Sequence, residues 1–320
     1  MSNIISIDSK NLITIYSNQD LIDRWLKYAD VSDNTKESYI KGVCKFVTFV
    51  KVNSFTTPNR ETILDFKNYI MEENSNATAY HYLSGLKSFY KFLEYENISQ
   101  DITRGVKLPK IPKGHKKDSL TVEQLRSLLY SLSQDTLLNA RDCCMINLMV
   151  RTGLRSCEVL DADIGDIQTK DGKKVLYIKG KGHNEKDTFV VLETDMMLII
   201  DRYLNKRKNF IDKSPLFMSL NHSSYGERLK ASSFRKIIKA RLRDVGIDSN
   251  RLSAHSLRHT AITFSLLGGA TITEARDMAR HTDVNTTLNY AHNLTRLNES
   301  PESKIEKFYR DNITDFDVKN

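Results

Sequence analysis

The chain has 320 residues, of which 40% are hydrophobic and 28% are charged, and its formal net charge at pH 7 is +8. This length allows two domains with separate hydrophobic cores. The apolar runs, such as residues 196–200, stop well short of membrane-spanning length, and the N-terminus lacks the basic and apolar pattern of a secretion signal. A positive balance of this size favours polyanionic partners.

The cysteines are not spaced as metal ligands or as a disulfide framework, because none of them forms a Cys-x-x-Cys pair. We therefore expect reduced cysteines in the core of a cytoplasmic protein. The four residues are Cys44, Cys143, Cys144 and Cys157.

A compact helical domain is predicted over residues 17–103, after a short N-terminal extension of residues 1–16. Apolar residues recur at helical spacing in four segments, and Ser17 is the predicted cap of the first. Four helices of this length are sufficient for an all-α domain, whose aromatic residues we expect in the core. Examples of core positions, one from each helix, are Trp25, Phe46, Phe66 and Phe89.

Lysines lie along the polar faces of the second and fourth predicted helices. A solvated surface is the usual role of such residues, but they are also candidates for contacts with phosphates. The candidates are Lys36, Lys41, Lys45, Lys87 and Lys91.

Residues 104–118 are predicted to form a basic linker between two domains. Pro109 and Pro112 disfavour a helix and favour an extended segment. Lys107, Lys110 and Lys113 follow one another at intervals of three, and residues 104–117 include no acid. This spacing argues against a linker that is merely solvated and touches nothing.

Residues 119–298 are predicted to form a mixed α/β domain, followed by a C-terminal helical tail at 299–320. Thr121 and Gln124 make a capping box, and a helix is expected over 138–150. The period then changes to that of strands around Val175 and Tyr177 and over residues 188–192. Helices resume near residues 194, 232, 254, 272 and 286. The expected fold is mainly α with a small antiparallel β-sheet.

Four segments of this domain carry basic residues, histidines and a tyrosine. They are T-G-L-R-S-C-E-V at 152–159, I-K-G-K-G at 178–182, H-S-L-R-H-T at 255–260 and R-H-T-D-V-N-T-T-L-N-Y at 280–290. Together they supply the groups needed to attack a phosphodiester with a side-chain hydroxyl.

Two of these segments offer candidates for binding a phosphate. His255 and Arg258 are three residues apart, which places both on one face of a helix. His255 and His259 also have a metal-ligand spacing, but no third ligand is evident, so phosphate contact is favoured. Arg155 follows a glycine that lets the backbone approach a ligand, and Arg151 is an alternative phosphate contact.

The other two segments offer an acid and a nucleophile. Lys181 lies between two glycines in the turn joining two strands, where it can donate a proton to a leaving oxygen; Lys179 and Lys186 are alternatives. Tyr290 follows His281 by nine residues. A tyrosine hydroxyl has a pKa of about 10, so it needs nearby cations or a base to act as a nucleophile.

The ordered set of segments resembles the tyrosine site-specific recombinases, the integrase family that includes Xer recombinases and the integrases of phages and transposons. The resemblance covers residues 17–295. It implies a helical core-binding domain and a catalytic domain that close around duplex DNA. The chain has Ala279 and Arg280 where the family usually has Leu-Gly, a difference expected to alter the local backbone or add a phosphate contact without abolishing activity.

The resemblance also implies roles for the phosphate-binding residues. Arg155 and Arg258 would clamp the scissile phosphate, with Glu158 in support. His255 would act as a general acid or base. His281 would donate a hydrogen bond to a non-bridging oxygen.

By the same resemblance, Lys181 would protonate the 5′-oxygen leaving group and Tyr290 would attack phosphorus to form a 3′-phosphotyrosine. Because that bond conserves the energy of the phosphodiester, resealing would need neither ATP nor a metal, and no cofactor is expected. The expected partners are DNA with specific target sites and a homotetramer, or a heteromer with a related recombinase, on paired sites.

Two other functions remain open at this point. A non-catalytic DNA-binding protein of this fold would be expected to lose the tyrosine or an arginine, and the chain has both. A type IB topoisomerase shares the chemistry but need not assemble on two sites. Within the recombinases, chromosome-dimer resolution and integration of a mobile element are both open.

The C-terminal tail bears on the choice between a recombinase and a topoisomerase, because a recombinase needs to link its subunits. Ser300 and Pro301 are good N-cap and N1 residues. Ile305, Phe308 and Tyr309 would form a short apolar face on the helix that follows. That face would pack either on a neighbouring subunit or on its own domain.

Overall fold

The computed structural model describes residues 8–111, 118–180, 185–288, 290 and 301–312. The chain divides into two compact units, Met1–Lys113 and Gly114–Asn320. Helices dominate both units and the second contains one small antiparallel sheet, which confirms the predicted fold class. Within the described ranges, no helix is long and apolar enough to cross a membrane.

The N-terminal unit contains one helix more than the four predicted. The described helices are α1 (Ser9–Ser17), α2 (Gln19–Tyr28), α3 (Asp33–Val52), α4 (Arg60–Glu73) and α5 (Asn76–Tyr95). Helix α1 lies where we expected only an extension, and its Leu12 is buried in the core. The predicted cap was also wrong by one residue, because the side chain of Asn18, not Ser17, accepts a hydrogen bond from the backbone of Leu21.

Helices α3 and α5 pack closely because each carries a glycine where they cross. A Cβ added to Gly42 would lie 2.5 Å from the carbonyl oxygen of Tyr82, and one added to Gly85 would lie 2.5 Å from the Cα of Tyr39. Both distances are below van der Waals contact, so a larger residue would force the helices apart. The predicted aromatic positions fill the core around this crossing, as expected. They include Trp25, Phe46, Phe66 and Phe89.

The first part of the predicted linker packs on the N-terminal unit. Val106 is buried and Leu108 packs against the same core. The backbone carbonyls of Lys107 and Lys110 accept hydrogen bonds from Lys67 and Asn76 respectively, at 2.9 and 3.1 Å. Residues 106–111 have neither helix nor strand, in line with the expected extended conformation. Residues 112–117, including Lys113, lie outside the described residues.

The second unit is built around a helix that is buried on every side. Its described helices are α6 (Val122–Ser131), α7 (Leu137–Thr152), α8 (Ser156–Asp161), α9 (Thr194–Lys206), α10 (Ala231–Asp244), α11 (Ala254–Leu267), α12 (Ile272–Ala279) and α13 (Pro301–Asn312). Residues 284–288 and 290 are also helical. The predicted capping box of α6 is present. Helix α7 buries residues all round its axis, as a central helix must, and contacts α9 and α11.

The sheet has three antiparallel strands, β1 (Ile167–Lys170), β2 (Lys173–Ile178) and β3 (Thr188–Val191), in the order β1-β2-β3. In the central strand, Leu176 pairs with Ile167 of β1 and with Val190 of β3. Strands β2 and β3 were predicted. The turn between them begins at Lys179 and includes residues 181–184, which lie outside the described residues.

The cysteine prediction is correct in part. All four are free thiols, as expected. Cys143 and Cys144 are buried in α7, whereas Cys44 is half-buried and Cys157 is exposed, so the last two are not core residues.

Candidate active site

The first arginine of the site is fixed at the junction of α7 and α8. Helix α7 ends at Gly153, whose φ of 65° lies in the left-handed region that favours glycine. Arg155 follows as the cap of α8. Its guanidinium donates to Oε1 of Glu158 at 2.7 Å and to the carbonyl oxygen of Arg280 at 3.0 Å. These bonds orient the guanidinium before any ligand is bound.

The second arginine, Arg258, comes from α11 and is only 2% exposed. Its guanidinium donates to the carbonyl oxygen of Gly153 at 2.5 Å and to that of Ala279. The pKa of Arg258 is lowered to about 10, mainly by burial and secondly by the positive charge of Arg155. The group therefore stays charged at neutral pH and ties α11 to the ends of α7 and α12.

Glu158 is the buried carboxylate that joins the arginines. Its Oε2 accepts from the backbone N–H of Arg155 at 2.7 Å and from Nη2 of Arg280 at 2.8 Å. Burial raises the pKa of Glu158, but the charge of Arg280 and the bonds from Arg155 more than offset this and leave the pKa lowered. Glu158 is therefore ionised and holds two guanidiniums in position, which gives a physical basis for its expected supporting role.

Tyr290 is 6% exposed, and its hydroxyl forms a hydrogen bond with Nδ1 of His259. Burial raises the pKa of Tyr290 to about 12, although the charge of Arg258 acts in the opposite direction. The hydroxyl is therefore protonated at neutral pH and must lose its proton to act as a nucleophile. The sequence did not predict this contact, since His259 was considered only as a possible metal ligand.

The histidines form a continuous row with Tyr290. The ring centroid of His259 lies 4.4 Å from that of His255 and 5.1 Å from that of Tyr290, and the ring of His281 stacks on Tyr290 with their centroids 6.3 Å apart. Nδ1 of His281 lies 2.9 Å from the hydroxyl of Thr287. His255 is exposed. The structure thus brings together the predicted arginines, histidines and tyrosine, which are up to 135 residues apart in the chain (290 minus 155).

A cavity of about 430 Å³ opens beside His281, the one residue of this row that lines it. Arg155, Arg280 and His281 supply hydrogen-bond donors to its wall, and Gly180 and Thr188 border it from the base of the β2–β3 hairpin. Thr282 and Thr286 complete the lining. A wall of cations and hydroxyls on one side suits an anionic group such as a phosphate.

The three lysine candidates for the general acid differ in their surroundings. Lys181 lies outside the described residues, although its neighbour Gly180 borders the cavity. Lys179 is exposed. Lys186 binds the carboxylates of Asp163 and Asp166 at 2.9 and 2.6 Å, so its ammonium is held in ion pairs away from the cavity wall. We therefore do not retain Lys186 as an alternative.

The alternative phosphate contact, Arg151, is directed elsewhere. Its Nε donates to Asn147 at 3.2 Å, and its Nη1 lies 3.9 Å from the carboxylate of Asp195 on α9.

Among the described residues, no group of three or more His, Cys, Asp or Glu side chains is arranged to hold a metal.

The lysines predicted to contact DNA fall into three groups. Lys36, Lys41 and Lys45 pair with carboxylates of their own unit, at 3.1, 2.6 and 3.4 Å. Lys91, Lys107 and Lys110 are exposed. The ammonium of Lys87 donates to the carbonyl oxygens of Val106 at 2.8 Å and of Thr103 at 3.5 Å. It therefore fixes the segment after α5, and its contact with DNA stays a prediction.

Comparison with known families identifies the class of this fold and site. Residues 118–296 match the phage integrase family, and residues 22–97 match the N-terminal SAM-like domain of phage integrases. The chain belongs to the phage integrase family. It is a tyrosine recombinase, an enzyme that breaks and rejoins DNA strands, as the resemblance of its motifs implied.

Individual relatives agree with this assignment. Tyrosine recombinase XerD of Listeria monocytogenes serotype 4b (strain F2365) is 28% identical over 291 residues, covering 87% of this chain and 95% of that protein. Tyrosine recombinase XerD of Pseudomonas putida (strain KT2440) is 29% identical over 274 residues, covering 84% of this chain and 89% of that protein. The fold is also similar to that of a crystal structure of XerH site-specific recombinase bound to palindromic difH substrate in a post-cleavage complex, with a TM-score of 0.70 at 19% identity, covering 94% of this chain and 88% of that one.

Proposed function

We propose that this enzyme is a site-specific DNA recombinase that cuts and rejoins duplex DNA through a 3′-phosphotyrosine intermediate. One observation carries the proposal. Two arginines, Arg155 and Arg258, are fixed near a single buried carboxylate, and the charge of Arg258 acts on the buried hydroxyl of Tyr290. Cations that are oriented before substrate binds stabilise the charge that develops on a phosphate in the transition state.

In the proposed first step, the Tyr290 oxygen attacks phosphorus and the bond to the 5′-oxygen breaks. The hydroxyl proton passes to His259, its hydrogen-bond partner, with the adjacent His255 as general acid or base. Lys181 protonates the 5′-oxygen, and His281 donates to a non-bridging oxygen. Rejoining is the reverse reaction, with the 5′-hydroxyl of a second DNA strand as the nucleophile, so neither ATP nor a metal is consumed.

The XerD relatives favour chromosome-dimer resolution as the biological role, because they match the chain over nearly their whole length. The same relatives support action on DNA in the cytoplasm. Integration of a mobile element remains the second candidate role. The XerD likeness favours site-specific recombination over the relaxation of supercoils by a topoisomerase.

This function is tested by trapping the enzyme on genomic DNA in EDTA and sequencing the attached ends. We expect covalent complexes at one recurrent locus, with the protein on 3′ ends. A site at the replication terminus would support dimer resolution, and the ends of a mobile element would support integration. Random ends would contradict site specificity, and cleavage that requires Mg²⁺ would indicate a different nuclease chemistry.

Replacing Lys181 by alanine should slow cleavage of normal DNA by roughly 100- to 10,000-fold, the range for loss of a general acid. A substrate with a 5′-bridging phosphorothiolate has a leaving group that needs no proton, so it should recover most of the rate. Single-turnover cleavage of both substrates measures the effect, with Lys179→Ala as the matched control. If the sulfur substrate rescues nothing in Lys181→Ala, the lysine only binds phosphate or shapes the turn.

We further propose that the enzyme acts as a tetramer on paired sites, linked through helix α13. Apolar side chains of this helix are more than half exposed: Ile305 by 56%, Phe308 by 58% and Tyr309 by 54%. A helix of twelve residues is only marginally stable alone in water. A second copy of the chain is the partner that would cover this apolar face in a recombining complex.

Truncation after Arg296 should leave binding to a single site intact and weaken cooperative binding to paired sites. The reason is that the deletion removes the proposed link between subunits but leaves the active-site residues. Gel-shift titration on one-site and two-site DNA measures both effects, and a thermal melt of the DNA-free protein is the control. Unchanged cooperativity with a lowered melting temperature would show that the helix packs on its own domain instead.

A further inference from the structure

Arg280 has a backbone conformation that an arginine adopts at a cost. It follows α12 with φ 53° and ψ 47°, in the left-handed region. Glycine adopts this conformation readily, whereas a residue with a Cβ is disfavoured there. An arginine at such a position therefore needs compensating interactions of its side chain.

The side chain makes two such interactions and lines the cavity. Its Nη2 donates to Oε2 of Glu158 at 2.8 Å, and its Nη1 donates to the carbonyl oxygen of Met278 at 2.7 Å. The side chain is 13% exposed, and Arg280 lies in the cavity wall with Arg155 and His281. Its Nε has no hydrogen-bond partner among the described residues.

The excess of positive charge near the cavity favours the binding of an anionic ligand there. Glu158 is a single carboxylate, and it is bonded to the guanidiniums of both Arg155 and Arg280. Arg258 interacts electrostatically with all three of these residues. Three guanidiniums against one carboxylate leave an excess of positive charge in a partly buried site, which an anionic ligand in the cavity would neutralise.

We propose that Arg280 is a third phosphate-binding arginine of the active site, contacting the scissile phosphate from the cavity wall. The proposal rests on the proposed function, because it assumes that the cavity receives the DNA phosphate. Glu158 then holds Arg155 and Arg280 side by side, and the carbonyl oxygen of Arg280 fixes the orientation of Arg155 as well.

The test replaces Arg280 by glycine, which removes the guanidinium and suits the left-handed backbone. Single-turnover formation of the covalent complex on normal DNA should slow by roughly 10- to 1,000-fold, in the range for one lost transition-state donor. The melting temperature should change little, because relief of the left-handed backbone offsets the loss of one of the two guanidiniums bonded to buried Glu158. The rate of covalent-complex formation by Arg280→Lys should lie between those of the wild type and of Arg280→Gly, because lysine retains the charge but not the planar group. Arg276→Ala removes an arginine of the preceding helix α12, whose side chain is 39% exposed and paired with Asp277, and should cleave at the wild-type rate.

A second substrate separates phosphate contact from mere positioning. A methylphosphonate at the scissile position replaces a charged oxygen by a neutral methyl group. If Arg280 binds that charge, the defect of Arg280→Gly should shrink at least tenfold on this substrate. A defect of equal size on both substrates, or wild-type cleavage by Arg280→Gly on normal DNA, would overturn the proposal. If the glycine variant fails to fold, Arg280→Asn, which tolerates the same backbone, is compared in its place.

The same experiment distinguishes failure of the proposed function from failure of the role of Arg280. If the wild-type enzyme forms no covalent complex on either substrate, the recombinase mechanism itself is wrong. A wild-type enzyme that forms the complex, with an unaffected glycine variant, rejects only the role of Arg280.

Discussion

Replacing Tyr290 by phenylalanine should abolish covalent attachment to DNA and leave DNA binding unchanged. The substitution removes only the hydroxyl, and the ring keeps its packing against Ile262 and Ala279. Loss of the hydrogen bond to His259 should cost about 0.5–1.5 kcal/mol of unfolding free energy, too little to unfold a domain of this size. The adduct is measured on a nicked suicide substrate, and binding by gel shift.

The matched control is Tyr225→Phe, which removes the hydroxyl of a tyrosine that is 64% exposed in the same unit. It should form the adduct in wild-type yield. A normal adduct yield from Tyr290→Phe would contradict the assignment of the nucleophile and direct attention to another hydroxyl.

Replacing Arg258 by lysine should lower the cleavage rate by roughly 100- to 1,000-fold. The guanidinium bonds two carbonyl oxygens, those of Gly153 and Ala279, and has further N–H donors that remain for a phosphate. A lysine ammonium is a point charge that does not reproduce this planar geometry. Leaving a buried carbonyl without a partner should also lower the unfolding free energy by about 1–3 kcal/mol.

Single-turnover cleavage and a thermal melt measure the two effects separately. Arg151→Lys is the control, because Arg151 was the alternative phosphate contact and is directed toward α9. It should change the cleavage rate little. Equal defects in the two variants would show that the assignment of Arg258 over Arg151 is wrong.

Sequence periodicity predicted the elements that bury a regular face. Helices α3 and α5 carry apolar residues at helical intervals, and strand β2 ends in a continuous apolar run over residues 175–178. Strand β1 was missed because only Ile167 of its four residues is even partly buried, so no alternation marks it. Helix α1 is short, and its place in the core depends on packing against α2 and α3, which a local pattern does not reveal.

The chemistry of the site was only partly predictable, because a local sequence pattern does not reveal tertiary contacts. The ordered motifs indicated which residues carry the reaction, but not which groups they contact. The hydrogen bond between Tyr290 and His259 joins residues 31 apart and exists only in the fold. Likewise, Lys87 and Lys186 resemble surface lysines in the sequence, and only their tertiary neighbours show that both are used within the protein.

The most direct measurement identifies the residue and the DNA end in the trapped complex. The enzyme is incubated in EDTA with a nicked duplex carrying the site recovered from genomic trapping, and the adduct is digested and analysed by mass spectrometry. The account predicts one peptide, with Tyr290 joined to a 3′-phosphate and a 5′-hydroxyl on the departing strand. Attachment through another residue or to a 5′-phosphate, or cleavage without any protein–DNA bond, would contradict it.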